Sequence, residues 1–344
     1  MSSEFQQNLT IFDIAEAAGV SVTTVSRILN NKPDVSAKTI AKVRDVMERL
    51  GYQPHASARR LASGRSNVIA VLPHATAGEL GSVTYEYITG IVDAAEAGDF
   101  SVNLLPRSTT EDKLRSLFGS GQFDGIALLQ VQTNDWRVEA LRQSGKPFVL
   151  VGRTEDTAGV SYVDVDLVRG AHEMVEAVAA RGHRRIVLIG NALHQKVRRF
   201  SARLIHDGYQ SGMAGLGLEP LVIDTEFSID GVVQAIKDGL TAAPAPSCFF
   251  IGGHVAMPQI LNRLREDGVD VPGKVSLVSI LPDPVAEITT PRTTTIDLPG
   301  RELGQHAGRT LIDHVTGRAG TRQILLPPQI IWRDSVRTTA EGNV

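Results

Sequence analysis

The 344-residue sequence predicts an α/β protein with a three-helix headpiece and a two-lobed body built on parallel sheets. Three observations carry that prediction. Residues 15–36, AEAAGVSVTTVSRILNNKPDVS, place two short runs of helical spacing on either side of Gly-Val-Ser. From Asn67 onward, short apolar runs alternate with helical stretches, the pattern of parallel strands covered on both faces. That alternation occurs twice, which implies two similar lobes.

Thr10 caps a helix that starts at Ile11, and Asp13 places a negative charge in its first turn. Ile14 and Ala18 lie one turn apart on one face, and Ala15 is small where a second helix must cross. Gly19 follows the last helical residue, where a left-handed conformation needs no Cβ. Val20 fills the turn, Ser21 caps the next helix, and Val25 and Ile28 return to the face of Ile14 and Ala18. The break lets two short helices pack steeply, so that the second projects as in a helix-turn-helix. Val22, Thr23 and Arg27 are expected to point away from the packing face. Arg27 suits guanine or a phosphate, and Val22 and Thr23 suit thymine methyls. Ser21, Thr24 and Ser26 suit phosphates. Ser36 caps a third helix with an apolar stripe of Ile40, Val43, Met47 and Leu50, ended by Gly51.

After Tyr52-Gln-Pro54, the stretch HASARRLASGR has room for two turns of helix, marginal when isolated. Arg59, Arg60 and Arg65 favour the phosphate backbone. Leu61 has no evident core to enter and is expected to wedge between base pairs in the minor groove, the segment ordering only on DNA. Residues 1–66 carry nine Lys/Arg against six Asp/Glu, a net +3 in a chain of net −3. A basic end on an acidic body suits a nucleic-acid partner.

The body reads as VIAVLP, SVNLLP, FDGIALLQV and PFVLVG with helices near 84–97, 111–119 and 135–143. A second series follows: RRIVLIG, LVID, SCFFIG and VSLVSIL, with helices near 198–215, 230–240 and 255–266. Ligands of such folds bind beyond the carboxyl ends of strands, here between the lobes. No P-loop, HExxH or dinucleotide fingerprint is present, and His183, His194 and His206 lack metal-ligand spacing. They read as surface or polar histidines, and RGHRR (181–185) as a solvated helix end. The expectation is therefore no catalysis, no cofactor and no metal. The lone Cys248 sits in an apolar run, and one thiol fits a reducing compartment. The polar start, MSSEFQQNLT, has no signal-peptide core, and no apolar run spans a bilayer, so the expected setting is cytoplasmic, with no membrane partner.

The stretches LTIFDIAEAAGVSVTTVSRILNNKPDVSAKT, LGYQP and ARRLASGRS resemble the headpiece and hinge of the lactose-repressor/galactose-repressor family of bacterial transcription factors. PRTTTIDLP and the closing strand region are similar to that family's regulatory domain, so the likeness spans the chain, tightly in the headpiece and more loosely in the body. It implies a headpiece at 8–53, a hinge at 54–66 and a periplasmic-binding-protein-like effector-binding and dimerisation domain at 67–340. It further implies a homodimer on a near-palindromic double-stranded DNA operator, acting as a repressor switched by a small molecule, commonly a sugar. Val22, Thr23 and Arg27 fall on the base-reading positions and Leu61 on the intercalating leucine.

The family's sugar-clasping positions do not carry over. Ile205 stands where an arginine is common, Gly253 and His254 replace Asn-Asp, and Leu281 replaces an aspartate, with Asp283 displaced by two. A pocket without those groups loses much of its discrimination for hydroxyls. His74, Arg153 and His254 remain as pocket candidates, with Lys196, Arg198 and Arg199 near the mouth. These are cationic or neutral donors, so the expected effector is carbohydrate-related and acidic or phosphorylated. The ending SVRTTAEGNV has no apolar heptads, so a dimer is expected and no tetramer. Two rival readings are a solute-binding protein with an accidental helix pair and an α/β enzyme with a DNA-binding head. The absent export signal argues against the first and the absent catalytic constellation against the second.

Overall fold

The structure, a computed structural model, describes residues 9–29, 34–52, 65–74, 82–190, 200–225, 228–253 and 256–339. Arg59, Leu61, Lys196, Arg198, Arg199 and His254 lie outside the described residues. Two compact units are formed, one from 1–68 with 112–124, the other from 69–111 with 125–344.

In the first unit, α1 (Ile11–Ala18), α2 (Val22–Leu29) and α3 (Ala37–Leu50) surround one small core. Thr10 and Asp13 close a reciprocal capping box, the Asp13 carboxylate accepting from the Thr10 N–H at 2.7 Å. Hydrogen bonds from the Thr10 hydroxyl and N–H hold the Asp13 carboxyl below its ordinary value. Gly19 adopts φ 62°, and the N–H of Val20 then returns to the Ala15 carbonyl at 3.0 Å. The Ser21 hydroxyl accepts from the Thr24 N–H at 3.1 Å and so caps α2. Ile14, Ala15, Ala18, Val25, Ile28, Val43, Val46 and Tyr52 are buried together. The stripe of α3 differs from expectation: Val46 is buried and Leu50 is exposed. Helices of eight residues cannot cover one of fourteen, so the last turn of α3 runs past them. In the same unit, the Asp124 carboxylate accepts from the Ser66 and Asn67 N–H groups at 2.8 and 2.7 Å, fixing the chain just before the first strand.

The second unit carries two six-stranded sheets. The first uses β1 (Val68–Pro73), β2 (Ser101–Leu104), β3 (Gly125–Leu129), β4 (Phe148–Val151) and β5 (Ser161–Val165); between strands the chain forms α4 (Ser82–Ala97), α5 (Glu111–Gly119), which falls almost wholly in the first unit, and α6 (Trp136–Ser144). Then α7 (Leu167–Ala179) leads to the second sheet: β6 (Ile186–Gly190), α8 (Phe200–Gly215), β7 (Leu221–Asp224), α9 (Ile229–Thr241), β8 (Cys248–Ile251), α10 (Met257–Glu266), β9 (Ser276–Leu281), α11 (Asp283–Glu287) and β10 (Thr294–Asp297). The orders β2-β1-β3-β4-β5 and β7-β6-β8-β9-β10 repeat one doubly wound topology.

The lobes are not consecutive in the chain. After β10, α12 (Gly300–Val315) packs on α4, and β11 (Gln323–Leu326) joins the first sheet parallel to β5. β12 (Ile330–Ile331) then pairs antiparallel with β10. Three strands of chain thus pass between the lobes, laced together by Asp166 N–H to Leu326 O at 3.0 Å and Asp297 N–H to Gln329 O at 2.8 Å. Gly170 lies beside them, where a Cβ would sit 3.0 Å from Pro328 Cβ. The sequence reading did not resolve β5, whose apolar run is interrupted by Asp164, or α12, whose core face is broken by Gly300, Gly304 and Gly308.

Two other features set the packing. A Cβ on Gly90 would fall on the Arg301 carbonyl oxygen, and one on Gly304 on the Tyr87 carbonyl oxygen, so α4 and α12 touch backbone to backbone. His183 is fully buried, not solvated. Its Nδ1 meets the Ser247 hydroxyl at 2.8 Å and its Nε2 the Arg337 carbonyl at 3.0 Å, holding the C-terminal segment to the start of β6. The run RGHRR is therefore an anchor: Arg181 stacks on Trp332, and Arg184 donates to the Ala179 carbonyl at 2.7 Å. Cys248 is buried as expected, and burial pushes its thiol well above the usual range. Among the described residues no helix is long and apolar enough to cross a membrane.

Gly90→Ala should destabilise the protein by about 1–3 kcal/mol in urea titration, with helical content retained, because neither backbone can move aside. Burial also pushes the His183 imidazole below its ordinary value. The folded state then binds fewer protons than the unfolded chain, so His183's contribution is fully present above about pH 6.5 and is lost as pH falls. A melting-temperature series from pH 8 to 5 should show that acid-side loss, and His183→Asn should flatten it.

Candidate functional site

The outer side of α2 carries the sequence-predicted DNA contacts. Ser21, Thr23 and Arg27 are exposed, and Thr24 and Ser26 are half-buried. The Ser21 and Thr24 hydroxyls lie 2.8 Å apart, so both serve the helix start as well as its surface. Val22 differs from expectation: it is half-buried and packs against the headpiece core, because the first turn of α2 lies against its neighbours. The open edge is thus Thr23 and Arg27, with the N-terminal N–H groups of α2 at its start, a favourable place for a phosphate. Arg27 pairs with Asp34, Nη1 to Oδ2 at 2.8 Å. Sequence reasoning missed Asp34 because it belongs to no periodic element.

At the carboxyl edge of the first sheet, His74 follows β1, Gln132 follows β3 and Arg153 follows β4. His74 Nε2 and Gln132 Nε2 are 2.6 Å apart. These loops are held from beneath by Arg137, which is fully buried and was also missed. It pairs with Asp135, the N-cap of α6, at 2.6 Å, and donates to the Leu72 and Leu129 carbonyls at 3.0 and 3.2 Å. Burial works to raise the Asp135 carboxyl, but hydrogen bonds and charge from Arg137 hold it below its ordinary value. The sequence signal was a cation two residues after a capping aspartate, which reads the same when solvated.

Arg153 is not a free pocket group. Its Nε donates to Asp164 Oδ2 at 2.9 Å and its guanidinium lies over the Tyr162 ring. Its Nη2 is buried without a hydrogen-bond partner. Burial pushes the Asp164 carboxyl up, with Arg153 acting in the other direction. From the second lobe, Arg203 on α8 reaches Glu155 in the loop after β4 at 2.7 Å, joining the lobes.

Ile205 and Leu281 are both buried core residues, and the Gly253 carbonyl accepts from the Ser279 hydroxyl at 3.3 Å. Asp283 is paired with the buried Arg333, which also meets Glu287 at 3.0 Å. Burial pushes the neighbouring Asp297 carboxyl up. No group of three or more His, Cys, Asp or Glu among the described residues is placed to hold a metal.

A capped helix-turn-helix with an exposed second helix, in one chain with a two-sheet α/β body, defines a DNA-binding transcriptional regulator. The profile described as bacterial regulatory proteins, lacI family, matches residues 10–55, and that of a periplasmic binding protein-like domain matches residues 175–336. The HTH-type transcriptional regulator CelR of Thermobifida fusca is 30% identical over 342 residues, covering 96% of this chain and 99% of CelR. A solved transcriptional regulator CelR–cellobiose complex matches with TM-score 0.70 at 26% identity, over 95% of this chain and 99% of that one. The lac repressor dimer bound to operator and the anti-inducer ONPF matches with TM-score 0.79 at 23% identity, over 96% and 100% of the two chains. The chain belongs to the lacI family of bacterial regulatory proteins.

Arg137→Met should cost about 3–5 kcal/mol in denaturant titration, because it strands the Asp135 carboxylate without its partner. Adding Asp135→Asn to that variant should recover part of the loss.

Proposed function

We propose that this regulator is a repressor that binds a near-palindromic operator as a homodimer, its grip changed by a small-molecule effector. The observation that carries the reading is the capped α2 with Thr23 and Arg27 on its open edge. In it, residues 8–53 read DNA, 54–66 form the hinge, and 67–340 bind effector and dimerise. Val22, Thr23 and Arg27 meet base edges, with Val22 offering only its outer methyl surface. Ser21, Thr24, Ser26 and Arg59 hold phosphates, and Leu61 enters the minor groove. The lac repressor, whose fold the chain shares, is a dimer on its operator, which supports the same assembly here.

At the effector end, His74, Arg153, Arg199 and His254 supply the donors. CelR binds cellobiose, which supports a carbohydrate-related effector. Ile205 and Leu281 belong to the core, so two of the family's polar clamps have no counterpart. The buried Arg153 Nη2 favours an acidic or phosphorylated ligand over a neutral one. Effector binding favours one lobe arrangement, changes the spacing of the paired hinges and so shifts the population able to dock. Effector and operator affinities are then reciprocally coupled. The protein acts in the cytoplasm without cofactor or catalysis.

Random-pool selection with the full chain should yield an inverted repeat, and Arg27→Ala should weaken binding to it by about 1–3 kcal/mol. Calorimetry should then detect a sugar acid or sugar phosphate. Tight binding of the neutral sugar and none of its acid or phosphate would overturn the effector assignment alone.

A further inference from the structure

Arg27 is the only charged residue of α2, and it stands in the last turn of that helix. Asp34 lies seven residues on, two before Ser36, the N-cap of α3. The two side chains meet at 2.8 Å while remaining 54% and 50% exposed. A pair that open to water contributes little to stability and restricts two side chains. Its worth must lie in what the restriction does.

The guanidinium is a planar group with five N–H donors. Asp34 approaches Nη1. The edge formed by Nε and Nη2 is a second fork, and its two parallel N–H groups match O6 and N7 of guanine. Holding Nη1 therefore restricts where that fork can sit before DNA arrives and removes part of the ordering loss from the binding step. On a duplex read by Arg27, a carboxylate so close to it would face the phosphate field and be repelled, weakening attachment to all sequences alike. An acidic group beside a reading arginine thus trades general affinity for selectivity.

We propose that Asp34 is a positioning residue that aims Arg27 at a guanine and sharpens discrimination at that one base pair. The proposal rests on the DNA-reading role given to Arg27 above. It is tested with the full-length protein on the duplex obtained by random-pool selection, on that duplex with every position changed to each other base, and on an unrelated duplex, at one salt concentration. Circular dichroism checks that each variant is folded.

Asp34→Asn should bind the unrelated duplex more tightly and lose about tenfold in discrimination at a single G·C pair, the pair that Arg27→Ala also flattens. Asp34→Glu should restore most of that discrimination. In an Arg27→Ala background, Asp34→Asn should leave the base preferences unchanged. The proposal is overturned if Asp34→Asn alters affinity equally for all sequences, or if it still changes base preference without Arg27. If the wild type selects no site, the regulator reading falls with it. If Arg27→Ala flattens a pair and Asp34→Asn does not, only the positioning role is lost.

Discussion

The body of this protein depends on a backbone contact between α4 and α12. Gly90 faces the Arg301 carbonyl and Gly304 the Tyr87 carbonyl, with no room for a side-chain carbon between them. Gly308 continues the same face, where a Cβ would lie 2.7 Å from Ala94 Cβ. Helices that approach so closely bring α12 over β3, β4 and β5, where Leu303, Ala307 and Leu311 enter the core of the first lobe. That core runs on through Ala171, Met174 and Val175 of α7 to Leu188 and Phe250 of the second sheet. One glycine face thereby sets how a segment from the far end of the chain completes a lobe begun before it.

The headpiece was legible in the sequence almost atom by atom. Thr10, Gly19, Ser21, Ser36 and Gly51 act through bonds to residues a few places away, so local spacing reveals them. The strands VIAVLP, FDGIALLQV and VSLVSIL were equally plain, since burial on both faces leaves a continuous apolar run. What was hidden depends on partners distant in sequence. His183 looks like part of a charged surface run until Arg337 and Ser247 close around it. Arg137 looks solvated until the Leu72 and Leu129 carbonyls are brought over it. The return of α12 and β11 to the first lobe carries no local signal at all.

The headpiece and the lobes follow different rules. The headpiece exposes short polar and cationic side chains on one capped helix, so its chemistry can be read from residue type and helical phase. The carboxyl edges of the sheets instead use cations already engaged by the protein. Arg153 gives one nitrogen to Asp164 and keeps another buried and unbonded, and Arg333 is spent on Asp283 and Glu287. With Ile205 and Leu281 turned into the core, polarity there is concentrated in a few preassembled pairs.

The interleaving of the chain also governs how the molecule can be made. A nascent polypeptide that has emerged only to residue 299 holds the residues of the headpiece core, yet β5 lacks β11, β10 lacks β12, and the side of α4 around Gly90 lacks α12. The buried strands β5 and β10 are then edge strands, the kind of surface on which unfinished chains aggregate. The headpiece core, by contrast, uses no residue beyond Tyr52 among those described.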